Sequence, residues 1–412
     1  MIDSLKSFYV EGKDLKMKMN KKVLGLLGTG HAITDINQGA IAMFLAFLQP
    51  VFALSQTQVG LAMLAFNLSS SIIQPIFGVI SDRVRAIWLI PLGCLLAGLG
   101  MALTGLSFNY GTLLGAALLS GLGVAAYHPE GSKFARFASG SLKGTGMSLF
   151  SVGGNIGFAA GPVLASLFYG LAGLHGSVGF LVLNGIMALF LWAGIPTIAA
   201  VGDYGAGSSA RRSSSGGVRL DARAMIPVVL LVMVVIMRSW VHMGLVTFLP
   251  QYYVHYLHQG GAYAAAITSI FLLAGVFGTL AGGPAADRWG LKTVIIGSMA
   301  MTIPLLLLFS RLSGVWVTVA VFLAGFAVIS TFSVTVVLGQ EMLPNNVGLA
   351  SGLMLGFGIG MGGVGTTLLG WVADRWGLPM VFEVMIIFPV LGLIIAFFLP
   401  GSSALARRQS AV

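Results

Sequence analysis

The chain has 412 residues, of which 57% are hydrophobic and 8% charged, whereas an average soluble domain carries about 25% charged residues. So little charge cannot cover a water-facing surface, which excludes a soluble enzyme or a soluble binding module. The formal charge of +10 raises the question of a nucleic-acid partner, and the positions of the basic residues decide it.

Residues 1–22 are polar and basic, with no cleavage site behind a short apolar region, so no secretory signal peptide is expected. Thereafter the apolar residues fall into blocks of roughly 20 or more, the length a helix needs to cross about 30 Å of hydrocarbon. The first block, 23–48, carries His31, Asp35 and Gln38 at i, i+4 and i+7, on one helical face, with Asp35 near mid-membrane. The second, 57–80, runs into Gly78-Val-Ile-Ser-Asp82-Arg83, and the third, 87–107, holds the single cysteine, Cys94, which can form no intramolecular disulfide. The fourth, 111–132, contains Tyr127-His128-Pro129-Glu130. Beside a proline, His128 is read as a helix-bend histidine bonded to backbone in preference to a metal or proton site. The fifth, 143–170, is rich in glycine up to Gly157, Gly161 and Pro162, and the sixth spans 177–198.

A hydrophilic stretch rich in Gly, Ser and Arg follows and reads as a flexible cytoplasmic linker, 199–223. The seventh block, 224–254, carries Arg238 and His242 at i, i+4, at a depth like that of Asp35, and at its outer end Tyr252, Tyr253, His255, Tyr256 and His258 suggest an interfacial belt. The eighth, 262–285, runs into Gly283-Pro-Ala-Ala-Asp287-Arg288. The ninth, 291–310, and the tenth, 314–340, precede Glu341. The eleventh, 346–372, matches the fifth in glycine density, and the twelfth spans 380–399. A closed β-barrel would need strands of about ten residues alternating at period two, which these unbroken runs do not show.

With both termini in the cytoplasm, 19 of the 22 Lys and Arg residues lie inside, leaving Arg311 and Arg375 outside and Arg238 in the membrane. The positive charge is therefore a topology signal, and no nucleic-acid partner is expected. The expected organisation is a cytoplasmic segment 1–22, a six-helix bundle 23–198, the linker 199–223, a second six-helix bundle 224–399 and a cytoplasmic tail 400–412. The halves echo one another: the glycine and the aspartate of the two Asp-Arg turns are each 205 residues apart. Parallel halves of this kind suit a rocking transporter with one central site.

The glycine-Asp-Arg turn resembles the signature between helices 2 and 3 of the major facilitator superfamily, and Gly157-Phe-Ala-Ala-Gly161-Pro162 resembles the helix-5 motif of its drug/proton antiporters. Over almost the whole chain, His31-Ala-Ile-Thr-Asp35, Tyr127-His128-Pro129-Glu130-Gly-Ser, Ser151-Val-Gly153-Gly154-Asn155 and Gln340-Glu341-Met-Leu-Pro344, followed by Gly360-Met-Gly-Gly, are similar to the fosmidomycin resistance family. The helix-2 turn lacks the fuller Gly-Arg-Arg ending, having Val84-Arg85-Ala86, and the helix-5 motif lacks its trailing glycine pair. The resemblance implies an all-α membrane protein of twelve transmembrane helices in two pseudo-symmetric bundles, with helices 1 and 7 lining the central cavity.

Ionisable groups inside a bilayer cost at least about 2.5 kcal/mol each and point first to function. Asp35 and His31 are expected to bind the coupled proton, and Arg238, His242 and Gln38 the substrate, with Asp35 facing Arg238 across a water-accessible chamber. The alternative is a static ion pair or polar cluster joining helices 1 and 7. Asp82, Arg83, Glu130, Asp287, Arg288 and Glu341, at the cytoplasmic helix ends, are expected gate residues, with topology determinants and solvated caps as the alternative. Gly157, Gly161 and Pro162 are expected to serve helix packing and bending, because no strand or lysine accompanies them as a nucleotide loop would require.

These features point to proton-coupled export of a small anionic or amphiphilic compound by alternating access, from a bacterial-type inner membrane. Uptake by symport and a non-transporting receptor or scaffold are the competing readings. The expected partners are the substrate, protons and membrane lipid, with a functional monomer. No catalytic residues, metal or cofactor are expected, since no nucleophile–base pair, metal-ligand spacing or cofactor motif is visible.

Overall fold

The computed structural model describes residues 18–74, 76–77, 86–140, 142–209, 222–309, 311–312, 314–343, 350 and 352–401. Among them there is no strand, and the helices group into twelve. The first half holds α1 (Lys21–Phe52), α2 (Gln56–Asn67, continued by a π-turn at Leu68–Ile72), α3 (Leu89–Gly105), α4 (Tyr110–Ala138), α5 (Lys143–Ala172) and α6 (Val178–Ser209). The second holds α7 (Ala222–Gln251, with a π-turn at Tyr252–Tyr256), α8 (Gly261–Trp289), α9 (Leu291–Phe309), α10 (Val315–Ser330 and Phe332–Met342), α11 (Gly352–Phe357, Gly358–Gly360 and Gly362–Trp376) and α12 (Leu378–Met385 and Ile387–Phe397). Helix α6 continues to Ser209, within the stretch read as linker, and residues 210–221 lie outside the described residues.

Helix ends follow from local sequence. Ser55 with Gln58 and Asn109 with Thr112 form reciprocal capping boxes that start α2 and α4. Gly290 and Gly377, at φ 88° and 84°, end α8 and α11 in a backbone conformation costly for other residues. Proline sets two long-range contacts. Pro50 cannot donate to the carbonyl of Ala46, and that freed oxygen lies 2.8 Å from Nε2 of His255, on the other half. Pro162 likewise leaves the carbonyl of Phe158 free, and this oxygen abuts Gly39 of α1, where a side chain would overlap it. His255 is therefore a contact between the halves, and Tyr253 is buried, so the expected belt is only in part a surface feature.

Seven stretches of the described residues are long and apolar enough to cross a membrane, one of them, Gly146–Val201, covering both α5 and α6. Helix α1 is not among them, although it is 32 residues long, because His31, Thr34, Asp35, Asn37 and Gln38 lower its hydropathy. That polarity is tolerated because all but Gln38 are buried inside the protein rather than facing lipid.

Both halves begin at the same end of the bundle, called here the near end. At the far end they share one apolar core, in which Met43, Phe44 and Leu48 of α1 and Val59, Met63 and Phe66 of α2 join Phe248 and Leu249 of α7, Ile267 and Phe271 of α8, and Leu369 of α11. At the near end the cores are separate: Val23, Leu27 and Ile198 belong to a cluster of the first half, and Val228, Leu231 and Leu338 to one of the second. Exposure follows the same gradient. On α1, Gly25 and Thr29 are exposed near its start, and on α7 Ile226, Val229 and Met233 are, whereas no residue of 30–48 on α1 or of 234–251 on α7 is exposed. The molecule is closed at the far end and parts toward the near end.

Candidate functional site

Helix α1 is held against α5 closely enough for backbone contact. A Cβ on Gly157 would overlap the carbonyl of Ala32, and one on Gly161 would lie 2.5 Å from the carbonyl of Ile36. Such proximity is open only to small residues. It places Gly154 beside the polar face of α1, where an added Cβ would overlap the His31 ring and lie 2.8 Å from Oδ2 of Asp35. Helix α4 closes the third side: the Tyr127 hydroxyl donates to the carbonyl of Leu27 at 2.6 Å, fixing the register that carries His128 to α1.

The result is a compact cluster. Nε2 of His31 lies 3.2 Å from Oδ2 of Asp35, Nε2 of His128 lies 3.1 Å from Oδ1, and the two ring nitrogens are 3.0 Å apart. The His31 ring stacks on Phe150 with centroids 4.1 Å apart, and its Nδ1 is 2.8 Å from the Phe150 carbonyl. A carbonyl only accepts, so Nδ1 carries a hydrogen, and in the neutral ring Nε2 is a bare lone pair. His128 brings at most one hydrogen on Nε2. With Asp35 ionised and both rings neutral, that leaves the edge between His31 Nε2 and Asp35 Oδ2 with two acceptors and no hydrogen. Oδ1 is also buried without a well-directed hydrogen bond. The network is thus at least one hydrogen short, and an added proton fills the edge between His31 and Asp35. The ligand-type atoms of the three residues lie within 4.8 Å of one another, so any small cation would meet the same groups, and the proton is the smallest that fills that edge.

In the other half, Arg238 of α7 is buried, 5% exposed, with Nη1 lacking a hydrogen-bond partner. Its guanidinium sits 5.3 Å from the ring of Phe332. One turn on, His242 lies between Phe158 of the first half and Phe271, with Nε2 unpartnered. Among the described residues no carboxylate pairs with Arg238. A buried, unpaired cation costs several kcal/mol unless something compensates it. The face of Phe332 offsets part of that cost, and the unpartnered Nη1 leaves the guanidinium receptive to an anion.

The structure therefore brings His31 and Asp35 together, and Arg238 and His242 together, with no ion pair between the two groups. Gln38, on α1, is half-buried. His128 departs from its reading as a backbone-bonded bend residue: it joins Asp35 and His31, because α4 packs on α1 at that level. Of the expected gate residues, Asp82 and Arg83 lie outside the described residues. Glu130 is fully buried with Lys133 Nζ 3.4 Å away. Asp287 and Arg288 are exposed at the near end of α8, and Glu341 is half-buried in α10. Sequence reasoning missed the part played by His128 and Gly154; the pairing of polar helix faces across α1, α4 and α5 was the signal available. It also passed over the buried amides Asn37 and Asn184, which bond at 3.0 Å and tie α1 to α6.

Similarity to known proteins agrees with this architecture. The family model of the Major Facilitator Superfamily matches residues 27–354 and 228–412. The chain is 33% identical over 391 residues to the fosmidomycin resistance protein of Escherichia coli (strain K12), covering 94% of this chain and 95% of that protein. It is 31% identical over 391 residues to YfnC, an uncharacterised major-facilitator-type transporter of Bacillus subtilis (strain 168), with the same coverage of 94% and 95%. In fold it is similar to a bacterial homologue of the human lysosomal transporter Spinster (TM-score 0.72, 15% identity, 94% of this chain and 98% of the other). It is similar too to the nucleoside transporter NupG (TM-score 0.71, 15% identity, 91% and 97%). Twelve helices in two bundles, buried charge in the midst of each, and these matches over nearly the whole length together make the chain a member of the Major Facilitator Superfamily, a multi-pass membrane transporter and not an enzyme.

Proposed function

We propose that the protein exports a small anionic or amphiphilic compound in exchange for protons, acting as a monomer in a bacterial-type inner membrane with both termini in the cytoplasm. The near end is then the cytoplasmic mouth, in keeping with the 19 basic residues on that side. The observation that carries the reading is the division of polar groups between the halves: a carboxylate–histidine cluster at least one hydrogen short in the first, and an unpaired buried arginine in the second. An anion entering from the near end finds its counter-charge at Arg238, with His242 and Gln38 as further polar contacts. A proton reaching His31, Asp35 and His128 from the far side fills the edge between His31 and Asp35 and lowers the cost of closing the site again. Each ligand shifts the balance between two open states only by the difference in its affinity for them. Export is favoured over uptake by the resistance for which the relative in Escherichia coli is named, since removal of a compound confers resistance to it.

The test is transport in proteoliposomes with an imposed pH gradient, using a panel of small organic anions that includes phosphonates. Asp35→Asn should abolish gradient-driven movement while leaving exchange down a substrate gradient. Gradient-driven transport at the normal rate by that variant would remove Asp35 from coupling. In whole cells, a protonophore should raise internal accumulation of the substrate; a fall would turn the reading to uptake.

A further inference from the structure

The far-end closure contains a carboxylate latch. Oδ1 of Asp374, in the last turn of α11, accepts from the backbone N–H of Gln56 at 2.6 Å, and Oδ2 accepts from the N–H of Thr57 at 2.8 Å and from its hydroxyl at 2.5 Å. These are the first two residues of α2, so a side chain of one half satisfies orphan donors at the start of a helix in the other, at the end of the helix dipole that favours negative charge. Ser55 already caps α2 through the N–H of Gln58. The helix therefore does not depend on Asp374 to begin, and the contact is surplus to local folding. Beside it, Gly60 and Gly370 let the two backbones meet, and the Thr366 hydroxyl lies 3.2 Å from the carbonyl of Gly60.

A sequence repeat sets this contact in a larger scheme. Residues 286–291 and 373–378 are both Ala-Asp-Arg-Trp-Gly-Leu. Both copies end a helix in the same way, at Gly290 and Gly377, each N–H bonding 2.8 Å to the carbonyl of the copy's alanine. One copy ends α8 at the near end and the other ends α11 at the far end, as inverted three-helix repeats within a half would place them. The far copy is docked on α2. The near copy presents Asp287 to solvent, while α5, the helix of the first half that packs on α8, starts after Leu142 with no side-chain cap.

We propose that Asp374 is a gating residue that holds the far mouth shut and must release α2 before the site opens there; Asp287, already expected from the sequence to be a gate residue at the near mouth, serves as its counterpart for the opposite state. This rests on alternating access alone and not on the identity of the coupled ion or the substrate.

The experiment uses membrane vesicles carrying Cys94→Ala and Met43→Cys. Met43 is fully buried in the shared far-end core, close to Gly261 of α8, so its thiol is reached by a membrane-impermeant maleimide from the far side only when that mouth opens. Asp374→Ala should raise the labelling rate about tenfold, and Thr57→Ala, which removes one of the three bonds, by about threefold. Asp287→Ala should slow labelling, because it removes a contact of the opposite state. Unchanged rates in both Asp374→Ala and Thr57→Ala would overturn the proposal, and so would equal acceleration by Asp374→Ala and Asp287→Ala, which would mean general loosening. The assay needs neither substrate nor a proton gradient. Adding Asp35→Asn should leave the Asp374 effect in place, so the latch and the coupling scheme stand or fall separately.

Discussion

At the scale of single residues, the two polar groups differ in how they meet the cost of burial. Asp35 meets it locally, with two histidines, a stacked phenylalanine and a backbone carbonyl that fixes the tautomer of His31. Arg238 does not, and this gives an unusual expectation. Replacing a buried charge by an apolar group of similar volume is often neutral or stabilising by about 1–4 kcal/mol. Arg238→Met should therefore raise the melting temperature in detergent while abolishing transport, the pattern of a site held at a cost to stability. A lower melting temperature would instead mean that Arg238 has a structural role. His128→Ala removes a polar neighbour of the buried Asp35 carboxylate and should cut gradient-driven transport at least about tenfold, as expected when a buried charged group loses a polar partner. Transport at the parent rate would show that His31 alone suffices.

At the scale of elements, α1 and α5 form one unit, and two glycines a single turn apart have different tasks. Gly157 faces the backbone of α1, so Gly157→Ala must push the helices apart, and a loss of about 1–3 kcal/mol is expected by thermal or denaturant unfolding. Gly154 faces the His31 ring and Asp35, so Gly154→Ala should disturb transport more than stability. The reverse order for the two variants would mean that the cluster adapts and the backbone contact does not matter. The prolines act at the same scale. Pro50 and Pro162 each free a carbonyl four residues earlier, and each freed oxygen is met from a different helix, one by His255 and one by Gly39. The bends are thus the source of contacts, a consequence that composition alone does not reveal.

At the scale of the whole molecule, one shared core at the far end and two separate cores at the near end define a state open toward the near end. Rocking the halves would trade the far contacts for near ones with little change inside either bundle, since packed bundles switch between discrete arrangements rather than deform. Spin labels at Gly25→Cys and Ile226→Cys, both exposed near the starts of α1 and α7, should report a long distance at rest. A shorter population should appear under conditions that open the far mouth, including Asp374→Ala. A single unchanging distance across substrate, pH and that variant would contradict a rocking cycle.

Twelve spans in two halves were legible in the sequence, because burial in lipid imposes apolar runs of fixed length. Asp35, His31, Arg238 and His242 stood out for the same reason, as rare charge in apolar surroundings. Which of them meet was not legible. Helical spacing groups residues on one face but does not say which neighbouring helix faces them, so His128 was assigned to its own backbone although α4 presents it to α1. Asp374 passed unnoticed because a carboxylate at a helix end is ordinary in sequence. Only the packing of α11 on α2 gives it a partner 318 positions away. Contacts between the halves depend on which mouth is closed, and that depends on a rigid-body arrangement of two bundles, which local sequence patterns do not encode.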